Sequence, residues 1–375
     1  MFDPFESIQP RAILDHTGDG IYVVDLDCRI LYWNRPAEVI TGWKAEDVLG
    51  RRCRDDILIH VDRAGVQLCE PGLCPLHRAM ASEQTAPAPM VVYAQTKAGG
   101  RVPVAVSVAP LRDELGKIIG GVEVFRDETE NEVNREKARL VQQHALAGDL
   151  PDGPVRFKVL YRPHDVVGGD YYRVQTLPDG RHAFLLADVA GHGVAAALYT
   201  MTLHALWHDH HQALSDPSLF LGRLNASLDP LTVGDSFTTA FFGLVDPVSG
   251  QLVYASAGHP PALLRRVSGE VEVLEPLDLA LGMLPDLNFR QAGAMLEPGG
   301  MLVLCSDGAL EAKSPEGEEF GLQRLWRLVA EADPGRIDLL LERLERALLE
   351  HAQSIRLEDD LAVMVVVRPA AKAHA

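Results

Sequence analysis

Short apolar blocks separated by turn signals run through the first third of the chain. Residues 21–25 (IYVVD) are apolar and β-branched, Leu26-Asp27 offers a turn, and residues 30–33 (ILYW) supply a second strand, so the pattern predicts an opening hairpin. Helical patterns follow at 35–41 and 45–49. Three further strand patterns occupy 90–95, 102–111 and 118–126, with a turn at 113–116 between the last two. Two strands, short helices and three more strands describe a small α+β domain. Residues 127–147 then lack Gly and Pro, carry many charges, and set Val133, Lys137, Leu140, Val141 and Leu146 at irregular helical spacing. That predicts a connecting helix, with a stripe too short to prove a coiled coil. The segment GDLPDG at 148–153 ends it.

From residue 155 onward strand patterns recur at 155–161, 182–188, 239–245, 251–255, 262–267, 301–305 and 361–367. Helical patterns interrupt them: one runs from residue 194 through HALWHDHH, a second covers 218–228, and a third covers 335–353 with Ile337, Leu340, Leu344 and Leu348 on one face. Hairpin-paired strands with helices segregated between them predict an α+β sandwich with antiparallel sheets.

Composition narrows the function classes. The 375 residues are 47% hydrophobic, enough for packed cores, and 53 acidic against 35 basic side chains leave a formal net charge of −18. Such a surface repels nucleic acid and anionic membrane, because phosphate contacts need clustered Lys and Arg. Neither is expected as a partner. The apolar runs, such as 362–367, are far short of the roughly 20 residues a spanning helix needs, and 194–207 is broken by His204. The opening MFDPFESIQPR places acidic residues where a secretory signal carries positive charge, and the five cysteines are an odd number, so a reducing, cytoplasmic location is expected.

The stretch HTGDGIYVVDLDCRILYWNRPAEVITGW, followed by Glu46-Asp47-Val48-Leu49-Gly50 and closing with GGVEVFRDET, resembles a PAS domain over residues 8–127. Asn34 after the second strand and the closing Asp127 and Thr129 fit that family. The resemblance implies a sensor or dimerisation module, with or without a ligand.

Four segments of the second domain put acidic residues beside glycine or at strand ends: Gly168-Gly169-Asp170, DVAGHG at 188–193, Ser306-Asp307-Gly308 and Glu358-Asp359-Asp360. Each alone reads better as a turn or a strand-end cap than as a metal ligand. Together they suit a hard divalent cation, which takes oxygen ligands, and carboxylates gathered at one edge of a core repel one another unless a cation neutralises them. With their order, these segments resemble the PPM class of metal-dependent serine/threonine phosphatases, in its SpoIIE/RsbU branch. The motifs span about residues 140–368: RLVQQ, YRPHDVVGGDYY, LLADVAGHGVAAALYTM, FTTAFFGLVDPVSGQLVYASAGHPPALL, LALGM, PGGMLVLCSDGALEA and EDDLAVMVV.

That resemblance implies an αββα sandwich of two antiparallel sheets with a two-metal site at one end. It assigns Asp170 to the first metal and Asp188 to both, as the bridging and catalytic carboxylate, with the Val189 carbonyl completing the first site. Asp307 and Asp359 are assigned to the second metal, and Asp360 is adjacent. Two Mn or Mg ions sharing a water are implied. Two positions depart from the pattern. Ala190 stands where eukaryotic relatives place a candidate general-acid His, and His192, in a glycine turn, is not assigned that role. Ala362 stands where Thr is usual, which removes a hydroxyl but no ligand.

His204, His208 and His211 fall at i, i+4 and i+7 and could share a helix face, but no acidic base accompanies them as in a zinc protease, so a plain helix face is expected. The segment 256–261 (SAGHPP) lacks a nucleophile elbow and reads as a turn. Cys53, Cys69 and Cys74 have the spacing C-x15-C-x4-C, with His60 and His77 nearby. Three readings stand: inert thiols, a zinc or iron-sulfur site in which Cys53, Cys69, Cys74 and His77 are the candidate sensor ligands, or an exposed low-pKa pair acting as a thiol switch. Packing accounts for Cys28 and Cys305.

The chain is therefore expected to be a PAS sensor domain (8–127), a connecting helix (128–150) and a PPM-type phosphatase domain (151–369). The expected function is hydrolysis of phosphoserine or phosphothreonine on a regulatory protein. By resemblance the partner is a phosphorylated anti-sigma-factor antagonist of the STAS fold, and a homodimer through the PAS domain and connecting helix is a further expectation. The alternative is a catalytically silent sensor and scaffold that binds a phosphoprotein.

Overall fold

The structure is a computed structural model that describes residues 9–63, 65–70, 72–82, 89–146, 148–191, 193–231, 237–354 and 356–370. The chain divides into two compact units, Met1–Asn134 and Arg135–Ala375.

The first unit carries α1 (Pro10–Asp15), β1 (Gly20–Asp25), β2 (Ile30–Trp33), α2 (Arg35–Thr41), α3 (Ala45–Val48), α4 (Pro75–Ser82), β3 (Met90–Gln95), β4 (Arg101–Arg112) and β5 (Ile118–Asp127). Its five strands form one antiparallel sheet in the order β2-β1-β5-β4-β3, with the predicted hairpin at one edge. Alternate residues of these strands, among them Tyr22, Val24, Val104, Val106 and Phe125, face a core closed by Ile30, Trp33 and the short helices. Asn34 shows why that position suits no aliphatic residue. Its Oδ1 accepts the Ala37 amide at 3.0 Å, capping α2, and the Ile21 amide at 2.8 Å, while Nδ2 donates to the carbonyls of Leu14 and Asp19. One buried amide thus ties the hairpin, the helix start and the entering segment together. The helix α5 (Thr129–Leu146) follows, and the division between the units falls within it.

The second unit is a four-layered sandwich. One sheet has the order β13-β10-β9-β8-β7, from β7 (Asp170–Thr176), β8 (His182–Val189), β9 (Thr238–Val245), β10 (Gln251–Ala257) and β13 (Ala292–Met295). The other has the order β12-β11-β14-β15-β6, from β6 (Arg156–Arg162), β11 (Ala262–Arg265), β12 (Val271–Leu274), β14 (Met301–Cys305) and β15 (Leu361–Val367). All the pairings are antiparallel. Helices α6 (Val194–Asp209) and α7 (Pro217–Leu228) cover the first sheet, and α8 (Gly321–Ala330) and α9 (Ile337–Ala352) cover the second.

This layering explains the unbroken apolar runs that mark the strands. In β15, Ala362, Met364 and Val366 face the core between the sheets, whereas Leu361, Val363, Val365 and Val367 face α8 and α9. In β8, Phe184 and Leu186 point to the inter-sheet core and Ala183, Leu185 and Ala187 to α6 and α7. A strand buried on both faces has no polar alternation to show. The same logic explains what the pattern overlooked. The strands β7, β12 and β13 lie at sheet edges; β7 carries Arg173 and Gln175, and β12 and β13 are four residues each. Helix α8 was also overlooked, although Leu325 and Val329 lie at helical spacing on its buried face.

Candidate metal centre

The acidic segments converge at one end of the sandwich. Asp170 opens β7 directly opposite Asp188 near the end of β8, since the two are register partners in the antiparallel ladder. Asp307 opens a single 3-10 turn after β14, and Asp359 and Asp360 precede β15, the hydrogen-bonded neighbour of β14. The two sheets are joined at this end by side chains. Ser306 Oγ donates to Asp170 Oδ2 at 2.9 Å and accepts the Ala362 amide at 2.9 Å. Asp360 Oδ2 accepts the Gly169 amide at 2.5 Å, and its Oδ1 accepts the His164 amide at 2.6 Å.

These contacts separate two kinds of aspartate. Both oxygens of Asp360 are spent on backbone amides, so it clamps the loop before Asp170. Asp170 is fully buried, and its Oδ1 has no hydrogen-bond partner. Burial pushes its carboxyl well above the ordinary range, and the nearby charges of Asp188, Asp360 and Asp307 push the same way. Burial likewise raises Asp188 to about 8, with Asp307, Asp359 and Asp360 adding to the shift. Asp307 is also raised, by burial and then by Asp359, while a hydrogen bond with Asp188 opposes the shift. Asp359 is exposed.

Glycines allow this close approach. A Cβ on Gly168 would sit 2.6 Å from the Tyr161 hydroxyl and 2.9 Å from the Asp360 carboxyl. On Gly169 it would sit 2.9 Å from the Val189 carbonyl oxygen, and on Gly308 only 2.0 Å from the Asp360 carbonyl oxygen.

Among the described residues, no group of three His, Cys, Asp or Glu side chains is arranged as a ready metal site. The donor chemistry still fits a hard cation: a fully buried carboxylate oxygen without a partner, a second carboxylate opposite it, and a third within hydrogen-bond range of the second. The roles of Ser306 and Asp360 are not legible in the sequence. Neither has a ligand signature, and the partners of each lie more than 50 residues away in sequence.

The other candidates separate cleanly. His192 lies outside the described residues. His204 and His208 pack edge to face with centroids 4.9 Å apart, and His204 Nδ1 lies 3.4 Å from the Tyr171 hydroxyl. The shared face expected for three histidines stops there, because α6 ends at Asp209 and His211 begins a separate 3-10 turn. In the segment 256–261, Ser256 is buried at the end of β10 with no partner for its hydroxyl, and His259 Nδ1 lies 2.9 Å from Thr239 Oγ1 instead. Complete burial lowers the His259 imidazole to about 3.

In the first unit, Cys53 is buried and Cys69 and Cys74 are partly buried; these three, Cys28 and, in the second unit, Cys305 are all free thiols. Burial raises Cys53 and Cys74 and takes Cys69 to about 11. An exposed low-pKa pair is therefore not what the fold builds, since desolvation disfavours the thiolate. His77 points outward from α4.

Comparison with known proteins agrees with the layout. The Stage II sporulation protein E (SpoIIE) family matches residues 178–369, just over half of the chain. The chain belongs to the SpoIIE family. A PAS domain family matches residues 18–130, so this SpoIIE-family chain carries a PAS domain ahead of its PPM-type αββα sandwich. Protein IcfG of Synechocystis sp. is 28% identical over 297 residues, which is 68% of this chain and 46% of that protein. Phosphoserine phosphatase RsbP of Bacillus subtilis is 29% identical over 191 residues, 50% of this chain and 47% of that protein. The chain thus spans about half the length of these two curated relatives. Among solved structures, the SiaA-PP2C domain of Pseudomonas aeruginosa superposes with a TM-score of 0.56 at 25% identity, covering 64% of this chain and 97% of that domain. No described helix is long and apolar enough to cross a membrane.

Proposed function

We propose that this SpoIIE-family chain is a metal-dependent protein serine/threonine phosphatase regulated by its PAS domain. The observation that carries the reading is the pairing of Asp170 with Asp188 across β7 and β8, with Asp307 within hydrogen-bond range of Asp188. In this reading Asp170, Asp188 and the Val189 carbonyl would hold one ion, and Asp188, Asp307 and Asp359 would hold the other. Two Mg or Mn ions, when bound, lower the pKa of a shared water and offset charge developing on the phosphoryl oxygens. The chain's own part is positional. Ser306 orients Asp170, Asp360 holds the backbone before it, and Gly308 lets the two sheet ends meet.

The substrate class follows from RsbP, a phosphoserine phosphatase by name. A phosphorylated STAS-type regulatory protein as partner rests on the resemblance of the phosphatase motifs. Leu140 and Val141, exposed on α5, support pairing of two copies along that helix. The boundaries 8–127, 128–150 and 151–369 serve as the working division, and the free thiols are in keeping with a cytoplasmic setting.

The test is hydrolysis of p-nitrophenyl phosphate and of a phosphoserine peptide with Mn. Turnover by the full chain that requires the metal and falls at least a hundredfold in Asp188→Ala and Asp307→Asn supports the reading. Absence of turnover on these and on a phosphorylated STAS protein, with the chain folded, sinks it in favour of a binding scaffold.

A further inference from the structure

Gln142 sits one turn from the end of α5 and is 4% exposed. Its side chain grips one peptide residue from both sides. Oε1 accepts the Gly168 amide at 3.1 Å, and Nε2 donates to the Gly168 carbonyl at 2.7 Å. The same Nε2 donates to Thr200 Oγ1 at 2.9 Å, and that hydroxyl donates on to the Ala197 carbonyl within α6. The orientation of the amide is dictated, because only the oxygen can face an N–H and only the nitrogen a C=O. Every polar atom of Gln142 is used, and all of its partners are buried.

Gly168 is two residues before Asp170. The Gly168-Gly169-Asp170 segment is therefore held at three successive residues by three distant side chains: Gln142 on Gly168, Asp360 on Gly169 and Ser306 on Asp170. The last two come from the second sheet, and the first comes from the connecting helix. A fully buried carboxylate with one unpartnered oxygen cannot be aimed by solvent, so its direction is set by the Ser306 hydroxyl on its other oxygen and by the backbone that carries it. The Gln142 clasp is the only one of the three that fixes both the N–H and the C=O of its residue. It thereby sets the rotation of the peptide planes leading into Asp170.

We propose that Gln142 is a positioning residue for the first metal, registering Asp170 against α5 and α6 without touching metal or substrate. The proposal rests on the metal-phosphatase reading and deepens it. A displacement of a ligand by a few tenths of an ångström weakens a hard-ion site before it weakens the fold, so metal affinity is where the effect shows.

The test measures Mn binding to the full chain by titration calorimetry, alongside activity as a function of Mn. Gln142→Met keeps the length and volume but removes all three hydrogen bonds. It is expected to weaken binding of the tighter Mn at least tenfold, and to shift the Mn concentration for half-maximal activity by the same factor. At saturating Mn, KM for p-nitrophenyl phosphate should stay within twofold of wild type. Gln142→Glu retains the acceptor for the Gly168 amide but sets a carboxylate against the Gly168 carbonyl. Its loss of affinity relative to wild type should grow from pH 6 to pH 8 as that carboxyl ionises. Wild-type Mn affinity in both variants, whatever their thermal midpoints, overturns the proposal. Failure of the wild type itself to bind Mn overturns the underlying phosphatase reading, a distinguishable result.

Discussion

Ser306 Oγ donates to Asp170 Oδ2 at 2.9 Å, although 136 residues separate them, and both side chains are completely buried. The same oxygen accepts the Ala362 amide, so one hydroxyl joins the two sheets at the end where the acidic residues gather. It thereby gives a polar partner to the backbone of Ala362. Removing the hydroxyl in Ser306→Ala leaves a buried amide and a buried carboxylate oxygen without partners. The expected cost is about 1–3 kcal/mol for each unsatisfied group. Urea unfolding should show it, together with weaker activation by Mn.

Gly308 has no left-handed backbone requirement, so its constraint is purely one of space. A Cβ there would lie 2.0 Å from the Asp360 carbonyl oxygen, which is backbone and cannot swing aside. Gly308→Ala should therefore push β15 away from the turn that carries Asp307, reducing kcat/KM at least tenfold. Gly153, beside whose Cβ position nothing lies within 4 Å, provides the control: Gly153→Ala should leave kcat/KM within twofold.

Burial raises the carboxyl of Asp188 to about 8, with the neighbouring aspartates adding to the shift. A folded-state value raised above the ordinary one means stability that is complete below about pH 4 and lost as pH rises through about 8. In EDTA, the wild type should accordingly be less stable at pH 8 than at pH 5.5. Asp188→Asn removes one of the repelling charges and should raise the metal-free stability at pH 8 by about 1–3 kcal/mol. It should also abolish the stabilisation that Mn confers on the wild type, about 2.7 kcal/mol at a hundredfold excess over Kd. Thermal unfolding with and without Mn measures both effects. A variant less stable than wild type in EDTA would contradict the repulsion argument.

Within the PAS unit, Glu123 and His60 are both buried, with His60 Nε2 and Glu123 Oε1 3.7 Å apart. Burial raises Glu123 to about 8 against a hydrogen bond from Tyr22, and lowers His60 to about 4 with Arg101 nearby. The two act in opposite directions. Glu123 costs stability as pH rises from about 4.5 to 8, whereas His60 costs stability as pH falls from about 6.5 to 4. Above pH 6.5 only Glu123 still changes, so the PAS unit should lose about 2 kcal/mol between pH 6.5 and 8. Glu123→Gln should flatten that decline. Fluorescence of Trp33 and Trp43, read against urea with Trp207 and Trp326 replaced by Phe, isolates the PAS transition.

The hairpin at 21–33, the apolar strands β8, β14 and β15 and the stripe of α9 were readable in the sequence, because each buries a periodic or continuous apolar surface that leaves its mark on local order. Edge strands such as β13 were not, since they bury little and are defined by their neighbour's hydrogen bonds. The acidic segments were readable as an ordered set of motifs. Their division of labour was not. Asp359 and Asp360 are adjacent, yet one is exposed while both oxygens of the other are bound to backbone amides.

The two-domain plan, the sandwich and the pool of carboxylates are already written in the order of residues, because hydrophobic period and residue chemistry are local properties. It takes the folded chain to show that Ser306, Asp360 and Gln142 hold Asp170 and its loop, that His211 leaves the face of His204 and His208, and that the PAS cysteines are desolvated. Each of these depends on which distant groups share one buried space, and hydrogen bonding and desolvation act on that proximity whatever the separation along the chain.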